Sequence, residues 1–236
     1  MHPGSELAGY RIDGVEREHG DTAVLRAHDP RAGRAVVLHV VAGAPGTPAT
    51  ARFLERAQRL AAVAHPHLLD VYQARAVDGR TVAVAEAPIG RRLDALLEEC
   101  GGSLGAASAL RITRQLASAV DALEEAGAEP PPLALDRVWV DEHGHASLDG
   151  LDAHAGPPVP SSAASLAHLL TLLTRRLPPS AVTVVERARD GAYLSTGQLE
   201  DELRRVQAGG LRRRRAVAIA VLALATVVLI AIVATA

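Results

Sequence analysis

The spacing of apolar and polar positions changes several times along the first ninety residues. Residues 9–19 (GYRIDGVEREH) and 21–28 (DTAVLRAH) alternate on either side of Gly20, which predicts two short strands joined by a tight turn. Residues 29–33 (DPRAG) carry turn chemistry, and 34–41 (RAVVLHVV) is a β-branched run, so an antiparallel meander is expected. Residues 48–63 place Phe53, Ala57, Leu60 and Ala61 on one helical face, and His65-Pro66-His67 ends that helix. Strands over 68–75 and 81–87 follow, joined by Asp78-Gly79. The pattern then turns helical over 91–99 and 105–126, and Pro130-Pro131-Pro132 breaks it. Residues 137–140 and 145–148 predict a hairpin turning at Glu142-His143-Gly144. Pro157, Pro158 and Pro160 mark a loop, and helices near 162–175, 180–188 and 196–207 follow it. Five strands with one inserted helix, then a mainly helical half, is an α+β order.

Residues 216–236 (AVAIAVLALATVVLIAIVATA) have a different character, with no charge and only Thr226 and Thr235 as hydroxyls. A helix of that length reaches ~30 Å, the hydrocarbon thickness of a bilayer. A buried core helix is the alternative, and it would need a large domain around it. Arg212, Arg213, Arg214 and Arg215 flank the segment on one side. Positive flanks stay cytoplasmic, so a single-pass, tail-anchored protein of the cell membrane is expected, with its head in the cytoplasm. The expected organisation is a tail (1–8), a head domain (9–207), a basic juxtamembrane linker (208–215) containing Gly209-Gly210, and a transmembrane helix (216–236).

Composition narrows the chemistry. The 236 residues carry a net charge of -2, which excludes a generally nucleic-acid-binding protein. Removing the four clustered arginines from the 25 basic residues leaves 21 against 27 acids, so the head is acidic. One cysteine, Cys100, excludes a disulfide framework. The chain has no lysine and no asparagine, so any mechanism needing a lysine amine or an asparagine amide is excluded.

Five segments, in order and spacing, carry a resemblance. They are GYRIDGVEREHGDTAVLRAHDPRAGRAVVLHVV, ARFLERAQRLAAVAHPHLLDVYQA, TVAVAEAPIGRRLDALL, VWVDEHGHASLDGLDA and GAYLSTGQLEDELRRV. Together they resemble the bacterial eukaryotic-like serine/threonine protein kinases, over roughly residues 9–207. The resemblance implies a two-lobed fold, with an N-lobe over 9–87 and a shortened helical C-lobe over 91–207. It also implies where the chemistry of phosphoryl transfer would sit.

Position by position, that chemistry is missing. In the glycine loop, Arg17 and His19 stand where the first two glycines belong; Gly20 remains, with Val24 at the position that covers adenine. His39 replaces the lysine that grips phosphate, and Arg56 replaces its helix glutamate, although Glu55 is adjacent, about 100° around the helix. Val37 crowds the adenine floor. At the hinge, after Ala85, the Glu86 carbonyl could accept a bond from adenine, but Pro88 lacks the N–H that should donate one; Gly90 and Leu93 anchor this register. The catalytic loop matches PPPLALDR, so Pro132 replaces the base, Ala134 the lysine and Arg137 the metal asparagine. Gly150 replaces the metal aspartate of the next segment, flanked by Asp149 and Asp152. Asp136 with Asp149 or Asp152 is the residual candidate for a metal pair or for catalysis. The activation segment is cut to residues 153–162.

The resemblance thus implies a pseudokinase needing no cofactor or metal. As a docking or regulatory module it would meet a protein partner, such as an active kinase or an envelope protein. The alternative is an atypical kinase that still uses ATP and Mg²⁺. His65-x-His67 and His143-x-His145 with Cys100 raise zinc binding, but the first pair straddles a proline and the second a tight turn. Cys100 reads as a small apolar filler, and Ser161, Ser162 and Ser165 as possible phosphorylation sites in a linker.

Overall fold

The computed structural model describes residues 2–151, 161–210 and 212. The meander forms as its alternation requires. Strands β1 (Glu6–Leu7), β2 (Tyr10–His19), β3 (Thr22–Asp29), β4 (Arg34–Ala42), β5 (Val71–Val77) and β6 (Arg80–Glu86) make one antiparallel sheet in the order β1-β2-β3-β4-β6-β5. The sheet has one strand more than the sequence pattern gave, because Glu6–Leu7, expected in the tail, pairs back onto β2. Asp78 (φ 50°) and Gly79 (φ 71°) both sit in the left-handed region, the turn that joins two right-twisted strands.

Strand β4 is buried on both faces, which explains its unbroken apolar run. Val36, Leu38 and Val40 pack with Leu25, Val82 and Val84 on one side. Val41, with Ala83 and Ala85 of β6, joins the larger core on the other. There it meets helix α1 (Pro48–Ala61), whose N-terminus Thr47 caps by accepting from the Thr50 amide. Thr50, Phe53, Ala57 and Leu60 are the buried face of α1; Ala61, expected with them, is exposed at the helix end.

A second half follows across a short strand, β7 (Arg91–Arg92). It contains α2 (Leu93–Glu99), α3 (Ala106–Glu125), a 3₁₀ turn (Leu135–Arg137), the hairpin β8 (Val138–Val140) and β9 (Ala146–Leu148), α4 (Ser162–Leu173) and α5 (Pro179–Arg189). β7, β8 and β9 form a small antiparallel sheet. One apolar core continues from Phe53 and Leu60 through Leu116 of α3 to Leu166 and Leu170 of α4, so the halves share their interior. Residues 196–210 are helical, and Leu199 and Leu203 bury against that core. Gly209-Gly210, read as a linker, is therefore helical in its place. The expected activation segment, 153–162, lies outside the described residues except for Ser161 and Ser162, which cap and open α4, and the expected membrane helix, 216–236, lies wholly outside them. Among the described residues, no helix is long and apolar enough to cross a membrane.

Candidate functional site

The cleft between the halves collects the residues singled out from the sequence. Cross-strand register explains how. Arg17 of β2 pairs with Val24 of β3, Val24 with His39 of β4, and His39 with Ala83 of β6. Directly opposed residues of an antiparallel sheet share a face. A register shift between Val15 and Arg17, a bulge, re-aims the end of β2 so that Arg17 joins this row. Gly20, with φ of 54° and no neighbour that a Cβ would strike, serves the hairpin turn.

The row faces two carboxylates from the other half. Arg17 Nη1 donates to Asp136 Oδ2 at 2.6 Å, and its Nη2 lies 3.7 Å from Asp149 Oδ2. His39 Nε2 is 3.5 Å from the same Asp149 oxygen. His39 and Asp149 are both buried, at 3% and 5% exposure. Burial pushes the His39 pKa down, and the Asp149 charge only partly opposes it, so the imidazole is held towards its neutral form. Asp149 is fixed from behind: its amide donates to the Arg137 carbonyl at 2.9 Å, and its Oδ1 accepts from the Leu151 amide at 3.0 Å.

Three corrections to the sequence reading follow. Asp149, taken as a flank of the lost metal aspartate, is the carboxylate that enters the cleft. Gly150 instead lies against Leu60, where a Cβ would approach the Leu60 side chain to 3.0 Å. Asp136, the residual candidate for a metal pair or for catalysis, is bridged by Arg17 to the opposite half. Glu55 does not replace Arg56: it pairs with Arg59 on the solvent side of α1 at 2.5 Å, while Arg56 Nε donates to the Gly150 carbonyl at 3.3 Å. Arg137 Nη1 donates to the Leu151 carbonyl at 3.4 Å. Two arginines at former glutamate and asparagine positions thus hold the backbone of 150–151. Asp152 lies outside the described residues.

A nucleotide with its metal would enter this cleft against Arg17, Val37 and Pro88. The Arg17 guanidinium stands between the two cleft carboxylates. Val37 (5% exposed) opposes Ala85 at the adenine floor, and Pro88 offers no amide hydrogen. Pro132 carries no proton acceptor on its side chain. The hinge register itself is sound. Gly90 has φ of 95°, and a Cβ there would come within 2.2 Å of the Val140 carbonyl oxygen, so only glycine fits. Leu93 is fully buried next to it.

Behind the hinge the halves meet differently. Leu68 bridges Leu148 in parallel; the Leu69 amide donates to the Leu148 carbonyl at 3.0 Å, and the Leu148 amide to the His67 carbonyl at 2.9 Å. The His67 amide donates to His65 Nδ1 at 3.2 Å, so His65 Nε2 carries the proton towards Ser118 Oγ, 3.1 Å away. His67 Nδ1 donates to the Ala146 carbonyl at 2.8 Å. These rings form a packed cluster with His145. Among the described residues no group of His, Cys, Asp or Glu has the arrangement of a metal site. His143 instead points into solvent, and Cys100, expected as a buried filler, is exposed at the end of α2. A cavity of about 360 Å³ opens beside the cluster, lined by His65, Asp70, Glu86, Ile89, Asp141 and His145 among others. Sequence reasoning missed it, since its walls come from three separate segments, 65–70, 86–89 and 141–147. Ser161, considered as a modification site, caps α4 by accepting from the Ala164 amide at 3.3 Å.

No protein-family model matches the chain, and no curated protein sequence does. Solved structures do. The crystal structure of the Mycobacterium tuberculosis PknI kinase domain superposes with a TM-score of 0.72 at 18% identity, over 89% of this chain and 99% of that one. PpkA-294 in its apo form gives 0.67 at 17% identity, over 88% and 99%. With the sheet, the hinge glycine and the β8–β9 hairpin in register, the chain has the fold of a bacterial serine/threonine protein kinase domain.

Proposed function

We propose that the chain is a catalytically inactive kinase-like domain, tethered to the cytoplasmic face of the membrane by residues 216–236, that acts as a docking or regulatory module for a protein partner. One observation carries the inactivity: the Arg17 guanidinium stands between Asp136 and Asp149, at the place where phosphates and metal would have to enter. Pro132 and His39 agree with it, because side chains suited to the base and to the phosphate grip are absent, and the carboxylate that enters the cleft, Asp149, is met by Arg17. A signalling kinase or an envelope-biosynthesis protein is the class of partner that suits a kinase-like head held at that surface.

Nucleotide binding tests the inactivity directly. A ligand at a hundred times its dissociation constant stabilises a protein by ~2.7 kcal/mol. Millimolar Mg-ATP should leave the melting temperature where AMP leaves it; a rise of several degrees with ATP alone refutes the proposal. A second reading has Asp136 and Asp149 as the remnant of an atypical kinase, favoured only by their lying on the same side of the cleft, both against Arg17. Radiolabel transfer that Asp136→Ala or Asp149→Ala abolishes would establish it. The tether is tested in spheroplasts: external protease should spare residues 1–211, and deletion of 212–236 should release the head from the membrane.

A further inference from the structure

We propose that Arg17 is a built-in cation that straps the front of the cleft shut, holding the β2–β3 hairpin onto the opposite half without nucleotide or metal. This goes beyond inactivity, since it assigns a conformational device to a position that a phosphate-binding loop leaves to glycine. Two carboxylates, Asp136 and Asp149, converge on the cleft, and Asp149 is almost wholly desolvated. A buried carboxylate needs a compensating charge. His39, the nearest ring, is held towards its neutral form by its own burial and is a poor source of that charge. Arg56 and Arg137 donate to the carbonyls of Gly150 and Leu151. Arg17 reaches both carboxylates, at 2.6 and 3.7 Å, from the other side of the cleft.

The mechanics follow from the hairpin. Its β3 arm is pinned to β4 along its whole length, from Asp29 to Thr22, so the arm left to move is the end of β2. Its tip, His19 to Asp21, is exposed and turns on Gly20. Before the tip the β2 edge carries a bulge at Val15/Arg17, where the ladder to β3 is interrupted. Arg17 contacts both carboxylates across the cleft, so the strap acts next to the bulge, where the backbone pairing of β2 is irregular. Closure at the front is therefore ionic, and it weakens with salt or with any anion that competes for the guanidinium.

Hydrogen exchange on the full chain in detergent micelles tests the strap, using wild type, Arg17→Gln, Asp136→Asn and the double variant. A partly exposed ion pair contributes up to about 1 kcal/mol, roughly a fivefold change in an opening equilibrium. Amides of residues 14–24 should exchange up to about fivefold faster in each single variant, and the double variant should exchange no faster than either. About 0.5 M NaCl should have the same effect on wild type and none on Arg17→Gln. Unchanged exchange in both single variants, or effects that add in the double, would overturn the strap. Asp136→Asn alters a loop side chain that is 40% exposed, so it keeps the test decisive if Arg17→Gln folds poorly. Protection of the wild-type hairpin by Mg-ATP refutes nucleotide-free inactivity instead, and it leaves the coupling between positions 17 and 136 to be read on its own.

Discussion

The front and the rear of the junction between the halves are built from different materials. At the rear, backbone meets backbone: Leu69 to Leu148, Leu148 to His67, and Gly90 against Val140. At the front, side chains meet: Arg17 with Asp136 and Asp149, and His39 beside Asp149. Backbone contacts depend little on which side chain is present, so the rear can keep a kinase-like geometry at 17–18% identity. The front is where residue identity decides the contacts, and there charged side chains of the two halves meet one another. A fold can thus keep its backbone junction while the side chains across it change.

The largest effect should come from the rear. Gly90→Ala places a Cβ 2.2 Å from a backbone oxygen at a left-handed φ, and nothing nearby can yield cheaply. A loss of roughly 3–5 kcal/mol is expected in denaturant unfolding. If Gly90→Ala were tolerated, the claim that the rear is fixed by backbone would break. Next is the buried acid at the front. Asp149→Ala removes the acceptor for the Leu151 amide and the partner of Arg17 and His39. It should cost about 2–3 kcal/mol, or some 4–10 °C in melting temperature. A loss near zero would mean that the front cluster holds nothing together.

Acid should then attack the rear. Burial lowers the pKa of His65 and of His67 below the ordinary 6.5, so the folded state disfavours their charged forms. The unfolded chain binds those protons first as pH falls, so stability present above pH 6.5 is lost from 6.5 down towards the folded pKa values. Protonated His65 would also lose the Nδ1 that accepts from the His67 amide. Melting curves from pH 7.5 to 5.5 should show a decline smaller than that of Asp149→Ala, and His67→Gln, which keeps a donor for the Ala146 carbonyl, should flatten it. A pH-independent melting temperature counts against a histidine-packed rear. The smallest effect is Arg17→Gln. Its guanidinium is 31% exposed and its partner Asp136 40%, so global stability should fall by no more than about 1 kcal/mol even as the hairpin loosens. A much larger loss would make Arg17 a core element, and the front as deeply structural as the rear.

Much of the fold was legible because it rests on local periodicity and turn chemistry. The alternation around Gly20, the β-branched run of β4 and the 48–63 stripe all formed where the pattern put them. β1 escaped, since two residues carry no period, and Gly209-Gly210 was misread because glycine lowers helix propensity without forbidding a helix docked by Leu199 and Leu203. Of the cleft, residue types were legible: His39, Arg56, Pro132 and Arg137 carry expectations that the resemblance alone supplies, whereas Gly150 marked a position that Asp149 fills.

What fills the cleft was not legible. Arg17 and Asp136 are 119 positions apart, and their meeting depends on a bulge in β2 and a turn before β8. Asp149 lies one position before Gly150 and Asp152 two positions after it, and the path after β9, with the Asp149 amide bound to the Arg137 carbonyl, is what sends Asp149 inward. The sequence by itself determined the order of elements, the glycine required at the hinge and the absence of any lysine or asparagine for phosphoryl transfer, because these follow from local geometry and side-chain chemistry. Only the tertiary structure decided which of the remaining charges face one another, because ion pairs form across distances that no local rule connects.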